Sequence, residues 1–274
     1  MEKESGRKGE ELMNKEDLPA DLRDILKHSS WEMNTIGYST TETYLIKGVD
    51  KGKNAYLKII SPSSGSSLFP EKRILEWLQG KLSVPQIYYF REVEGKEYLL
   101  ISEIKGLNAA DDFFISNPAK MVPLVAKGLR LIHGVDILNC PFDQKLDAKI
   151  KESKRRVENG LVDEDDFELT FRGKTAQELL QKAVEMRPGN EDLVFTHGDY
   201  CLPNIIIDGD EVSGFIDLGR AGIADRYQDL ALMARSLKHD LGSPKWVDVF
   251  FKEYGIESRD FSKIDYYILL DELF

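Results

Sequence analysis

The sequence predicts an α+β protein of two lobes, a β-rich first lobe followed by a mainly helical second lobe. Three observations predict it. Between residues 42 and 104, short β-branched and aromatic runs alternate with turn residues. After Gly106 the apolar residues recur at helical spacing. One stretch interrupts those helices, FTHGDYCLPNIIIDGDEVSGFIDLGRAGIADRYQDLA at 195–231, which sets two apolar strand-like runs among seven carboxylates. A chain of 274 residues is long enough for two lobes with a sizeable core.

The elements follow in order. Residues 1–17 are charged and polar and are expected to form a mobile tail; the first lobe then runs over 18–104 and the second over 105–274. A short helix is expected near 19–28. Strands over 42–49 (ETYLIKGV) and 54–60 (NAYLKII) are joined by turn residues 50–53, and strands over 86–93 and 96–104 pair across Glu94-Gly95. Between these hairpins PEKRILEWLQGKL, 70–82, has Pro at a helix start, apolar Ile74, Leu75 and Leu78, and Gly80 near its end. The second lobe carries helices near 119–133, 144–157, 175–186, 227–239, 244–254 and 263–273. The lobes join near 102–106, and a cleft between lobes is the expected place for a small ligand.

Charge and composition exclude several functions. A net charge of −11 disfavours nucleic acid and anionic membrane as partners, because both need clustered Lys and Arg; it is compatible with a cationic ligand. No apolar run approaches the roughly 18 residues of a membrane span. The opening MEKESGRKGEELMNKED lacks the apolar core of a signal peptide, so a cytoplasmic protein is expected. Cys140 and Cys201 are far apart and outside any CxxC pattern, which reads as free thiols. Nothing in the sequence fixes an oligomeric state.

Residues 205–207 and 212–216 are short apolar strands separated by Asp208-Gly209-Asp210, and Asp-Gly is a strong two-residue hairpin signal. Such a hairpin returns Asp217 toward the end from which Asn204 sets out. Asp199 lies five residues before Asn204, so two carboxylates and an amide converge. Hard oxygen ligands of this kind suit Mg²⁺, which takes one or two carboxylates together with substrate phosphates. His197 has no second His or Cys at zinc spacing and is expected to orient the loop through its ring.

His197-Gly198-Asp199, then Asn204, then Ile216-Asp217-Leu218-Gly219-Arg220 resemble the catalytic loop and metal-binding segment of aminoglycoside phosphotransferases, which share the protein-kinase-like fold. Choline, homoserine and fructosamine kinases carry similar HGDxxxxN loops. The longer runs IDLGRAGIADRYQDLA and YYILLDELF resemble the 3′-type enzymes, with similarity from about Gly37 to Phe274. The resemblance implies ATP and Mg²⁺ as cofactors, Asp199 as the group that receives the substrate hydroxyl proton, and Asn204 and Asp217 as metal ligands. It implies Lys58 on the nucleotide's α/β-phosphates, with Glu71 holding it and Glu76 as the fallback. By the same resemblance Ser39 is expected in a phosphate-covering loop, Tyr56 at a position that stacks on adenine, and the backbone of Ser102 to Ile104 as the adenine linker. A cationic aminoglycoside would meet the acidic stretch around Asp163, Asp165 and Glu168, Arg220, and the chain end at Glu272 and Phe274.

Other conspicuous residues have structural readings. His133 ends an apolar helix, where a histidine favours the helix dipole and Gly134 caps. Cys201 has no activating base beside it in sequence and receives no catalytic role. Asp225 and Asp229, flanking Arg226, read as caps that support the catalytic loop. The implied activity is ATP-dependent phosphorylation of an aminoglycoside hydroxyl, the 3′ one by resemblance, conferring resistance. A kinase of another small alcohol and a non-catalytic pseudokinase are the alternatives.

Overall fold

The computed structural model describes residues 15–33, 41–49, 52–61 and 65–274. Most of the expected tail, and Ser39 with its loop, lie outside the described residues. The chain forms two compact units, one of residues 1–69 and 86–103, the other of 70–85 and 104–274.

In the first unit five antiparallel strands, β1 (Ser30–Met33), β2 (Glu42–Lys47), β3 (Ala55–Ile60), β4 (Ile87–Val93) and β5 (Lys96–Ser102), lie in the order β1-β2-β3-β5-β4. The alternation of strand side chains puts Tyr44, Ile46, Ala55, Leu57, Ile59, Tyr98 and Leu100 into one core, which Leu18, Leu22 and Leu26 from helix α1 (Ala20–Ile25) and its flanks close. The β4–β5 turn has both Glu94 (φ +51°) and Gly95 (φ +76°) in the left-handed region, as a type I′ turn requires. Strand β1 was not anticipated: four residues, SWEM, with an exposed and half-buried alternation carry too little apolar signal.

Helix α2 (Phe69–Leu78), expected as part of the first lobe, packs with the second unit. Its Trp77 stacks on Phe195, with ring centroids 5.2 Å apart, and meets Phe142 edge-on. The helix ends at Leu78 rather than near 82, because Gly80 adopts φ +76°.

The second unit holds β6 (Leu107–Asn108), α3 (Asp112–Ile115), α4 (Pro118–His133), α5 (Leu146–Glu158), α6 (Ala176–Glu185), β7 (Leu193–Thr196), β8 (Ile205–Asp208), β9 (Glu211–Phe215), β10 (Gly222–Asp225), α7 (Tyr227–Leu241), α8 (Pro244–Tyr254) and α9 (Phe261–Asp271). Strands β8 and β9 pair as the sequence predicts, with one shift. Asp208 pairs with Glu211, so the two turn residues are Gly209-Asp210, not Asp208-Gly209. Gly209 takes φ +64° at the first central position, where a type II′ turn wants glycine.

The short pair β7 and β10 decides the site. Thr196 at the end of β7 pairs with Gly222 at the start of β10, and Ile205 at the start of β8 pairs with Phe215 at the end of β9. The two connections, 197–204 and 216–221, therefore leave their strands at the same end.

Candidate active site

In the first unit Lys58 sits on β3, the middle strand of five, opposite Thr43 and Leu99. It is only 9 % exposed, which rules out an edge-strand lysine extended into water. Tyr56, two residues earlier on the same face, is half-buried; burial and then the Glu103 carboxylate push its hydroxyl above its ordinary pKa. Ser102 N–H donates to Gln86 O at 2.8 Å, and Glu103 N–H donates to Asn54 O at 3.2 Å. Among the described residues the Glu103 carbonyl and the Ile104 N–H, the two ends of one trans peptide group that point in opposite directions, have no backbone partner.

In the second unit Glu71 is 5 % exposed on α2, whereas Glu76 pairs with Lys72 at 2.9 Å on the helix surface. A Cβ built on Gly219 would lie 3.6 Å from that of Glu71, so α2 at Glu71 adjoins the segment that carries Asp217.

The loop 197–204 is locked from three sides. Fully buried His197 joins it to the neighbouring connection: its Nε2 donates to the Ile216 carbonyl at 2.9 Å, while its Nδ1 accepts from Asp199 N–H at 3.3 Å. Burial holds the His197 pKa below its usual value, so the neutral Nε2–H form persists. From below, the buried Asp229 carboxylate accepts His197 N–H at 2.7 Å and Gly198 N–H at 2.9 Å. It also meets His133 Nε2 at 3.1 Å, and that ring's Nδ1 lies 2.8 Å from the Tyr254 hydroxyl, which accepts from Arg226. From the side, Arg220 donates to the Gly198 carbonyl at 3.1 Å and pairs with Asp271. Gly198 at φ +85° is obligatory, because a Cβ there would run into the Arg220 carbonyl.

These ties bring the three sequence-predicted polar residues together. Asn204 Nδ2 donates to the Asp199 carbonyl at 3.0 Å and to its carboxylate at 3.1 Å, and Ile216 N–H donates to the Asn204 carbonyl at 3.1 Å. Both side-chain bonds of Asn204 run from Nδ2, which leaves its Oδ1 available as an acceptor. Asp217 is exposed and held at φ +58°, a left-handed conformation uncommon for a residue with a side chain. Two carboxylates and an amide oxygen are hard donors that fit Mg²⁺. Among the described residues no group of three His, Cys, Asp or Glu is placed to hold a metal ion. Cys201 is half-buried, and desolvation pushes its thiol well above its ordinary pKa, the opposite of an activated nucleophile.

The expected acceptor residues divide into two groups. Arg235 joins Glu168 (3.4 Å), Asp271 (2.5 Å) and Glu272 (3.4 Å), and Glu168 N–H donates to Glu272 at 2.9 Å. Phe274 packs beside them with its ring 5.5 Å from the Arg220 guanidinium and 4.8 Å from Lys149 Nζ. Asp163 and Asp165 stay exposed on a 3-10 turn a few residues earlier, with Asp163 capping it through Asp165 N–H. Arg235 and Lys149 were not singled out from sequence. Burial, with Arg220 close by, lowers the Lys149 pKa to about 7, and burial raises that of Glu272 to about 7.

A five-stranded sheet with a buried central lysine, and a helical unit that folds an HGDxxxxN loop against a neighbouring Asp, define a kinase-like phosphotransferase. The chain belongs to the phosphotransferase enzyme family, whose model matches residues 32–267. It is 43% identical over 256 residues to an aminoglycoside 3′-phosphotransferase of Niallia circulans, covering 93% of this chain and 97% of that protein. An Enterococcus faecalis aminoglycoside 3′-phosphotransferase is 35% identical over 268 residues, 96% of this chain and 100% of its own. Among solved structures, an aminoglycoside 3′-phosphotransferase of type VIII superposes with a TM-score of 0.82 at 29% identity, covering 93% of this chain and all of that one. APH(3″)-Id of Streptomyces rimosus, solved with ADP and streptomycin, gives 0.77 at 27% identity, covering 92% and 95%.

Proposed function

We infer that this protein is an ATP-dependent aminoglycoside O-phosphotransferase that acts on the 3′-hydroxyl in the cytoplasm and confers resistance. The observation that carries the reading is the loop of Asp199 and Asn204, pinned to Ile216 beside Asp217 by His197, in a family member closely similar to 3′-phosphotransferases. No described helix is long and apolar enough to cross a membrane.

Asp199 accepts a hydrogen bond from the sugar hydroxyl and takes its proton as that oxygen attacks the γ-phosphorus. The bond from that phosphorus to the β–γ bridging oxygen breaks, and ADP leaves. Asn204 Oδ1 and Asp217 hold Mg²⁺, which supplies charge neutralisation on the triphosphate. Buried Lys58 binds the α/β-phosphates with Glu71 as its counter-ion, Tyr56 stacks on adenine, and the backbone of Ser102 to Ile104 serves as the adenine linker. Ser39 is assigned to the phosphate loop by resemblance alone. Arg220 Nε is buried without a hydrogen-bond partner among the described residues, which suits it to a substrate oxygen. Asp163, Asp165, Glu168, Glu272 and Phe274 supply the surface for an acceptor with several ammonium groups. Most of the rate enhancement is positioning and charge stabilisation.

The test is an ADP-release assay with ATP over kanamycin, a 3′-deoxy analogue, choline and homoserine. Turnover of kanamycin and not of the 3′-deoxy compound is expected. Turnover of choline or homoserine alone would make the protein a kinase of another alcohol, and none at all would favour a pseudokinase.

A further inference from the structure

The acidic loop and the chain end are far apart in sequence, yet one side chain fastens both. Arg156, in the last turn of α5, donates from Nε to the Leu273 carbonyl at 2.9 Å and from one terminal nitrogen to the main-chain oxygens of Leu161 (2.9 Å) and Phe274 (3.0 Å). We propose that Arg156 is a positioning residue for the aminoglycoside site, holding the loop that starts at Leu161 and the segment that ends at Phe274 as one binding edge. The proposal rests on the aminoglycoside reading above.

Its geometry is set by the helix terminus. Gly160 at φ +64° closes α5 so that Gly160 N–H donates to the Val157 carbonyl at 3.2 Å and Leu161 N–H to the Arg156 carbonyl at 2.9 Å, the paired bonds of a Schellman cap. Arg156 thus grips Leu161 twice, accepting with its main chain and donating with its side chain. At the far end of the same loop, Glu168 N–H donates to Glu272, and Arg235 bridges Glu168 to Asp271 and Glu272. The span 161–168 is therefore tied at both ends to residues 271–274, with Asp163 and Asp165 exposed between the ties.

This placement is electrostatically unfavourable on its own. Arg156 lies 5.9 Å from the Phe274 ring, which Lys149 and Arg220 also approach. Burial, and then the neighbouring cations Arg220 and Arg155, lower the Arg156 pKa against the pull of Glu152. With all three of its acceptors on main-chain oxygens of the loop and the last two residues, the guanidinium fixes the geometry of both segments at once. A polyamine acceptor that meets carboxylates on both tied segments binds each more tightly when their separation is fixed.

Arg156→Lys and Arg156→Met would be compared with the wild type in KM for kanamycin, KM for ATP, kcat and melting temperature. A lysine cannot reproduce the planar fork to three acceptors. Arg156→Lys is therefore expected to raise the kanamycin KM roughly tenfold, with ATP KM and melting temperature near wild type, and Arg156→Met to raise it further. In the Met background, Glu272→Gln is expected to raise the kanamycin KM less than it does alone. An unchanged kanamycin KM in both variants overturns the proposal; so does a parallel rise in both KM values with a lowered melting temperature in Arg156→Lys. Should Arg156→Met fail to fold, Arg156→Lys decides the matter. A wild type that phosphorylates no aminoglycoside removes the underlying reading as well, whereas kanamycin turnover with indifferent Arg156 variants removes this proposal alone.

Discussion

Replacing Asp229 by Asn tests whether the catalytic loop owes its position to a carboxylate that never touches substrate. Asp229 accepts from His197 N–H, Gly198 N–H and the His133 ring at 2.7, 2.9 and 3.1 Å, and it is fully buried. Asparagine keeps the volume but has one acceptor oxygen, so its NH₂ must face one of these donors. At least one charge-assisted bond is lost and a buried N–H is left unpaired, a loss of about 2–4 kcal/mol. The loop shift also moves Asp199, next in sequence to Gly198. A misplacement on the order of 1 Å lowers kcat by roughly a hundredfold. Urea denaturation reads the stability, steady-state kinetics read kcat, and calorimetry reads Mg²⁺-ATP affinity, which is expected to change little. A stability loss below about 0.5 kcal/mol together with wild-type kcat would refute the reasoning, since surface-like tolerance is incompatible with three buried bonds.

Other outcomes follow from the same geometry. Asp199→Ala should lower kcat by about 10²–10⁴-fold while Mg²⁺-ATP still binds, as kinetics and calorimetry together can read. Asp217→Ala should instead weaken Mg²⁺-ATP binding itself; an unchanged calorimetric affinity would remove it from the ligand set. Glu272 has a folded pKa raised to about 7 by burial, so the protein binds an extra proton there between the ordinary carboxylate range and about pH 7. The stability from that proton is present at acid pH and is lost as pH rises through about 7. Antibiotic binding should strengthen over the same interval as the carboxylate ionises. Glu272→Gln should flatten both trends, and a kanamycin KM whose pH profile is the same in wild type and variant would show that Glu272 is not a substrate ligand.

The strands around Lys58, most helices of the second unit and the trio Asp199, Asn204 and Asp217 were legible because each rests on local chemistry. Alternation gives the strands, a capping box at Thr175 opens α6, and glycine fixes the turns at Gly95 and Gly209. Even there the turn register moved by one residue, since Gly209 takes the position where φ must be positive. Strands β7 and β10 escaped notice because four residues each, one set including Gly and Ala, carry no periodicity that separates them from loop. The run Val194-Phe195 was the one signal available.

What tertiary structure alone decided is the support. His133 read as a helix-end residue, yet its ring bridges Tyr254 to Asp229 from 96 residues away. Arg220 and Glu272 read as substrate groups, and both are also bonded internally, to Asp271 and to Arg235 and Glu168. The sequence nominated the residues proposed to carry the chemistry, because proton transfer and metal binding require particular atoms at short chain separations. It left open how those atoms are held, because a buried carboxylate or guanidinium chooses its partners among groups that only the folded chain brings within 3 Å, and desolvation, absent from a linear string, makes each of those choices obligatory.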